Sequence, residues 1–198
     1  MPLQMAVAVK EDRKKEKLLR LLTYEVVDGR PIYYRGYRGV LEGKKHPEEV
    51  MGSSTPQARL IVAIIKALLP LEGKGYVIST NEHGIKTTRG YRAVDIGVFR
   101  DGEVGWEDTY ASVGPTLAVE IDVKAEIEGN AFLEYVIRKV EDLFSAGTQR
   151  IVWIFTRPRK VMLFEREKKT IIYDWKDEIE LLEGIKLRLS DILKRPYG

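Results

Sequence analysis

Apolar positions in this chain follow the helical and the strand period in turn, and the switches between them mark out its elements. Between residues 55 and 70, Leu60, Ile61, Val62, Ala63, Ile64, Ile65, Leu68 and Leu69 leave few positions for water, which predicts a largely buried helix. Ser54 or Thr55 can cap it, Pro56 suits a first turn that needs no backbone donor, and Pro70 ends it. A second, amphipathic helix is expected over residues 130–146, stopped by Gly147. A charged run followed by Leu18, Leu19, Leu21 and Leu22 predicts another over residues 10–22, and residues 189–194 predict a short last one. The β-rich runs at 24–27 and 31–34 flank Asp28 and Gly29, a pair suited to a tight hairpin. Further strands are expected at 75–79, 84–88, 93–99, 117–124, 150–156, 160–165 and 170–174. Residues 35–53 read as a loop with a short element near 48–51, and residues 100–116 as a surface loop.

Strand, helix and strand across residues 117–156 make a βαβ crossover, with parallel strands and a right-handed connection. The expected fold class is therefore mixed α/β, a twisted sheet with helices packed on it. It fits one domain over residues 1–198, with a core at about 23–165, decorated by the helix at 10–22 and by residues 166–198.

Polar residues break the strand pattern at two places. In residues 117–124, Leu117, Val119, Ile121 and Val123 share one face, while Ala118, Glu120, Asp122 and Lys124 share the other. In residues 93–99, Val94, Ile96 and Val98 oppose Ala93, Asp95, Gly97 and Phe99, so Asp95 has two small neighbours and open space beside it. Strands flanking a crossover helix are commonly buried on both faces, and grouped carboxylates repel one another unless something positive lies among them. A divalent cation supplies that charge. Hard oxygen donors without histidine or thiolate favour magnesium, with manganese as a substitute. Neutralisation of the acids by Lys124 and arginines, or a half-exposed antiparallel strand with a polar face, would give the same pattern.

Composition removes several other chemistries. The 198 residues are 44% hydrophobic and 32% charged, an ordinary globular balance, and with no cysteine there is no disulfide, thiolate site or cysteine nucleophile. The longest apolar run is too short to span a bilayer, and the charges near the start follow the apolar residues rather than preceding them, unlike a secretory signal. The cytoplasm is the expected compartment. A net charge of +3 does not announce nucleic-acid binding by itself. His46 and His83 fall in expected loops, which disfavours a histidine general base, and the GKGY segment at 73–76 lacks the features of a P-loop.

With these residues in view, the chain resembles the PD-(D/E)XK nuclease superfamily, and within it the Uma-type restriction-endonuclease family. The likeness spans about residues 23–165. It rests on YEVVDG, on the helix STPQARLIVAIIKAL, on AVDIGVF, on LAVEI and on RKVEDLFSAGTQRIVWI, in that order. The resemblance implies a restriction-endonuclease-like central twisted mixed sheet flanked by helices, magnesium (or manganese) held by Asp95 and Glu120, and hydrolysis of DNA phosphodiester bonds. After Glu120 the family often continues with a lysine or with a Ser-Pro-Ser segment, whereas this chain has Ile121, Asp122, Val123 and Lys124. Either Glu120 or Asp122 is then the acid of the acid-x-Lys pair, and a shared site with Lys124 as the lysine is preferred. Lys139 matches a lysine of the family's helical segment.

The catalytic set expected on these grounds is Asp95, Glu120, Asp122, Lys124 and Lys139, with Asp95, Glu120 and Asp122 as metal ligands. Gln57 is placed to hold the water or a ligand, and Lys86, Arg89 and Arg92 to hold the phosphate backbone. A homodimer would suit a small nuclease cutting two strands. The departure after Glu120 keeps a second expectation open, a catalytically degraded nuclease fold acting as a binding or scaffold module. A hydrolase of some other phosphoester is a third.

Overall fold

The computed structural model describes residues 3–127 and 131–193. The first helix, α1 (Leu3–Leu21), begins earlier than expected. The hairpin of β1 (Thr23–Val27) and β2 (Arg30–Tyr33) turns through Asp28 at φ 51° and Gly29 at φ 70°. A two-residue turn that follows the strand twist requires this left-handed pair. Residues 35–53 carry two short helices, α2 (Tyr37–Leu41) and α3 (Pro47–Met51), where one element was expected. In α4 (Thr55–Leu68) the Ser54 hydroxyl accepts a hydrogen bond from the Gln57 amide at 3.4 Å. Only a stripe of α4 is buried, with Leu60, Ile64 and Leu68 spaced by one turn, and Val62 faces water.

One strand, β3 (Tyr76–Thr87), replaces the two expected at 75–79 and 84–88. It pairs with β4 (Gly90–Arg100) on both sides of a bulge at Asn81 and Glu82. The next strand, β5 (Leu117–Ile121), ends before Asp122. Through α5 (Ala131–Ser145) the chain reaches β6 (Arg150–Phe155), parallel to β5, and so completes the expected crossover. Asn130, the expected first residue of that helix, and Lys194, expected in the last one, lie outside the described residues. The meander of β7 (Lys160–Glu165) and β8 (Ile171–Asp174) is present. Beyond it, β9 (Ile179–Leu182) and β10 (Ile185–Leu187) form a separate hairpin that periodicity did not indicate, followed by α6 (Leu189–Leu193).

The main sheet runs β2-β1-β4-β5-β6-β7-β8, with β3 also on β4. A core of Leu60, Ile64, Leu117, Val119, Ile121, Val152 and Ile154 lies between one face and α4, and Trp175, Ile179, Leu181 and Leu189 close it. The opposite face packs Ala118, Trp153 and Phe164 against Val136, Val140 and Leu143 of α5. Because β3 follows β4 along almost its whole length, β1 and β5 share the other edge of β4. They pair with it at Gly90 and Tyr91 and at residues 96–98, and so leave a fork opposite residues 92–95. Among the described residues no helix is long and apolar enough to cross a membrane.

Candidate cleft at the sheet fork

Asp95 lies at the fork, and its carboxylate takes over the pairing that β5 no longer supplies. Its Oδ2 accepts from the Ile121 backbone N–H at 2.7 Å. The Gln57 side-chain amide reaches in from the first turn of α4. Its Nε2 lies 3.2 Å from Asp95 Oδ1, 3.4 Å from Oδ2 and 3.1 Å from the Ile121 carbonyl oxygen. Gln57 is 4% exposed and Asp95 5%, so these are interior bonds. The cap at Ser54 fixes the turn that aims residue 57 at the sheet.

Beside Asp95 opens a cleft of about 490 Å³, lined among others by Tyr34, Ser53, Ala58, Thr80, Glu82 and Lys124. Lys124 reaches it from the segment after β5. The bridge between Tyr34 and Ala125 and the bond from the Arg35 amide to the Lys124 carbonyl, at 2.7 Å, tie that segment to the end of β2. The Lys124 ammonium is 3.5 Å from Asp95 Oδ1 and donates to Glu82 Oε1. Glu82 Oε2 accepts from the Tyr34 hydroxyl at 2.8 Å.

Glu120, 2% exposed, is buried on the α5 side of the sheet. Its Oε1 lies 3.1 Å from the Lys139 ammonium, yet no donor is aimed along a hydrogen-bond direction to it. Burial, the Asp95 charge and the Glu25 charge push its pKa up to about 8, against the pull of Lys139. Burial alone would lower the Lys139 pKa, but Glu120 and Glu25 hold it well above the usual lysine value. Lys139 also meets Glu25 at 3.0 Å, and Glu25 meets Arg92 at 2.6 Å. Burial would raise the Glu25 carboxyl, but Lys139 and Arg92 together bring it below its usual range. Arg92 continues to Asp142 at 2.7 Å, and Arg89 joins the same carboxylate at 2.5 Å.

Several expectations change here. Asp122 does not stand beside Glu120. With φ at 59° it leaves the strand, and its carboxylate accepts from the Thr156 amide at 2.8 Å and hydroxyl at 2.6 Å, closing the end of β6. Strand alternation therefore stops at Ile121, and Lys124 reaches the cleft by a different path. Arg92 is 2% exposed and spent on internal ion pairs, and Arg89 is tied to α5, so burial and pairing remove both from phosphate binding. Lys86 is exposed and is not among the residues lining the cleft. Val94 packs on the α5 side and Ile96 and Val98 on the α4 side, so the three do not share a face. The switch falls at Asp95, opposite the bulge. The space beside Asp95 is closed on the Gly97 side by Phe99, whose ring carbon would meet a Cβ there at 2.7 Å, and opens elsewhere as the cleft. Glu82 and Glu25 carried no signal in the alternation. Glu82 sits in a bulge, and the charge of Glu25 lies inside a strand that reads as hairpin.

Among the described residues no three His, Asp or Glu side chains form a group disposed to hold a metal. The fork offers two acids and a carbonyl, with one buried carboxylate oxygen lacking a directed donor.

No family model and no curated protein matches this chain. Its fold does match a solved structure, the crystal structure of "a putative nuclease belonging to DUF820" from Anabaena variabilis ATCC 29413. The TM-score is 0.59 at 14% sequence identity, over 85% of this chain and 88% of that one. The two chains share a mixed α/β fold with a central mixed sheet flanked by helices.

Proposed function

We propose that this protein is a magnesium-dependent nuclease that hydrolyses DNA phosphodiester bonds at the β4–β5 fork. The observation that carries the reading is the Gln57 amide nitrogen, placed among both Asp95 oxygens and the Ile121 carbonyl oxygen. A donor with partial positive charge stands among hard oxygens, an arrangement that suits a cation. Glu120 adds a fourth oxygen, since it lies close enough to feel the Asp95 charge and its Oε1 meets Lys139 at 3.1 Å without a directed bond. The donor set therefore fits magnesium, with manganese as its substitute, held by Asp95, Glu120 and the Ile121 carbonyl. The ion, when bound, offsets charge on a scissile phosphate and makes water a better nucleophile.

The remaining work falls to the chain itself. Lys124 presents an ammonium at the wall of the cleft, where a phosphate oxygen is its natural partner. Lys139 offsets the buried Glu120 charge from behind the sheet. Gln57 orients Asp95 through its amide. The fold shared with a protein described as a nuclease supports this assignment.

Manganese titration of the intact protein, followed by cleavage assays on duplex, single-stranded and branched DNA, tests it. The wild type should bind the ion and cut, and Asp95→Ala should lose both. Cleavage that survives Asp95→Ala and Glu120→Ala would refute the mechanism. One observation favours the second reading, a nuclease fold that binds without cutting: Lys124 is already paired with Glu82, and Asp122 has left the site. Ion binding without cleavage of any of these substrates would select it.

A further inference from the structure

Glu82 enters the cleft from a distortion in β3. The pairs Thr80↔Ile96 and His83↔Val94 leave Asn81 and Glu82 together opposite the single residue Asp95. Both have left-handed backbones, at φ 68° and 57°, a conformation that non-glycine residues adopt rarely and seldom in succession. Such distortions persist where the surrounding structure holds them, and they cluster at functional sites. Here the bulge puts the Glu82 carboxylate into the cleft with both oxygens engaged. The Tyr34 hydroxyl, itself on a buried residue, fixes Oε2 at 2.8 Å. The Lys124 ammonium holds Oε1.

Lys124 thus stands between two carboxylates and takes the one farther from the sheet fork. Its ammonium hydrogen-bonds Glu82 and makes only a longer ion pair, at 3.5 Å, with Asp95 Oδ1. A lysine stem is long and flexible enough to close that gap if nothing draws it away. An ammonium seated on Asp95 would compete with a divalent cation for the same oxygen.

We propose that Glu82, delivered by the β3 bulge and anchored by Tyr34, is a positioning residue that holds Lys124 back from a direct hydrogen bond to Asp95. Asp95 Oδ1, which otherwise accepts from the Gln57 amide at 3.2 Å, is then left to a divalent cation without a directed bond from the ammonium, which stays at the cleft wall. This rests on the cation reading of the preceding section and adds a role for the bulge. It also makes a counter-intuitive demand, because removing a carboxylate that does not bind the ion should weaken binding, and removing a lysine should restore it.

The experiment uses the full chain and manganese, with free ion measured by electron paramagnetic resonance. Glu82→Gln, which keeps an acceptor for Tyr34, should weaken manganese binding about tenfold, the scale on which one charge within about 4–6 Å alters a carboxylate's affinity for a positive partner. Adding Lys124→Met should restore affinity to within about twofold of wild type. Unchanged affinity in Glu82→Gln overturns the proposal. So does a double variant as weak as the single one, since Glu82 would then be a ligand. A metal-free arm follows the lysine side-chain ¹⁵N signal in EDTA, where an ammonium held in an ion pair is protected from exchange. That Lys124 signal should survive in Glu82→Gln, where Asp95 takes over as its partner, and vanish when Asp95→Asn is added; its loss in Glu82→Gln alone, or its survival in that double variant, overturns the proposal. If wild type takes up no manganese, the cation reading fails by itself, and the nitrogen signal alone decides whether Lys124 moves from Glu82 to Asp95.

Discussion

Asp95 draws a backbone amide, a side-chain amide and, at longer range, an ammonium to one carboxylate. A buried polar group left without partners costs about 1–3 kcal/mol, so each of these donors has a reason to be there. Glu120 is served less well, and that has a consequence for pH. Its folded-state pKa, raised by burial to about 8, lies above its unfolded value near 4.5. The stability this provides is complete below pH 4.5 and is lost as pH rises through about 8. Urea unfolding in EDTA should therefore show stability falling across that window more steeply in wild type than in Glu120→Gln. Glu25, with its pKa shifted the other way, is present in both proteins and cancels from the comparison. Equal slopes would mean that Glu120 is not the source.

At the scale of elements, the contact between α5 and the sheet is unusual in being ionic at its centre. Glu25 of β1, Arg92 of β4, and Lys139 and Asp142 of α5 form one buried chain of charges. The Tyr135 hydroxyl adds a bond to Glu25 at 2.9 Å. Such a network holds only while every member is paired. Arg92→Leu leaves Glu25 short of a partner and Asp142 with Arg89 alone, and should destabilise the protein by about 3–5 kcal/mol in denaturant titration. Lys86→Ala, on the exposed side of β3, should change stability by less than about 0.5 kcal/mol. A loss below about 1 kcal/mol for Arg92→Leu would show that the network is worth little more than a surface pair.

For the molecule as a whole, the fork in the sheet organises everything else. Two strands diverge from β4, polar groups fill the gap, and the helices cover the two faces. The residues expected as a C-terminal decoration belong to this plan, because Trp175, Ile179, Leu181 and Leu189 seal the core beneath α4. Deleting residues 175–198 would expose the apolar surface around Ile64, Leu117 and Val161, which lie in the same cluster. The truncated chain should lose cooperative unfolding and dispersed amide resonances. A native-like spectrum would show that residues 23–165 suffice.

Much of the architecture was legible in the chain itself, because local rules determine it. The Asp28-Gly29 turn, the Ser54 cap, the helix ending near Pro70 and the crossover at 117–156 depend on residues close in sequence. The same holds for the identity of Asp95, Glu120 and Lys124 as residues that break an apolar pattern. Alternation could not say where regular strand ends. It ran through Asp122 and through residues 93–99, and both stretches depart from it at left-handed residues, in the first case Asp122 itself and in the second the partner strand. Which charge meets which was also beyond it. Arg92 looked like a phosphate contact and is an interior counter-ion, while Glu82 looked like loop and lines the cleft. Ion pairs join residues as far apart in sequence as Glu25 and Lys139, so only tertiary packing decides which carboxylates are neutralised from within. The chain alone therefore determined that Asp95 and Glu120 would stand on neighbouring strands. The folded sheet decided that Asp95 faces a cleft, that Glu120 rests on Lys139 behind it, and that a bulge sets Glu82 between Tyr34 and Lys124.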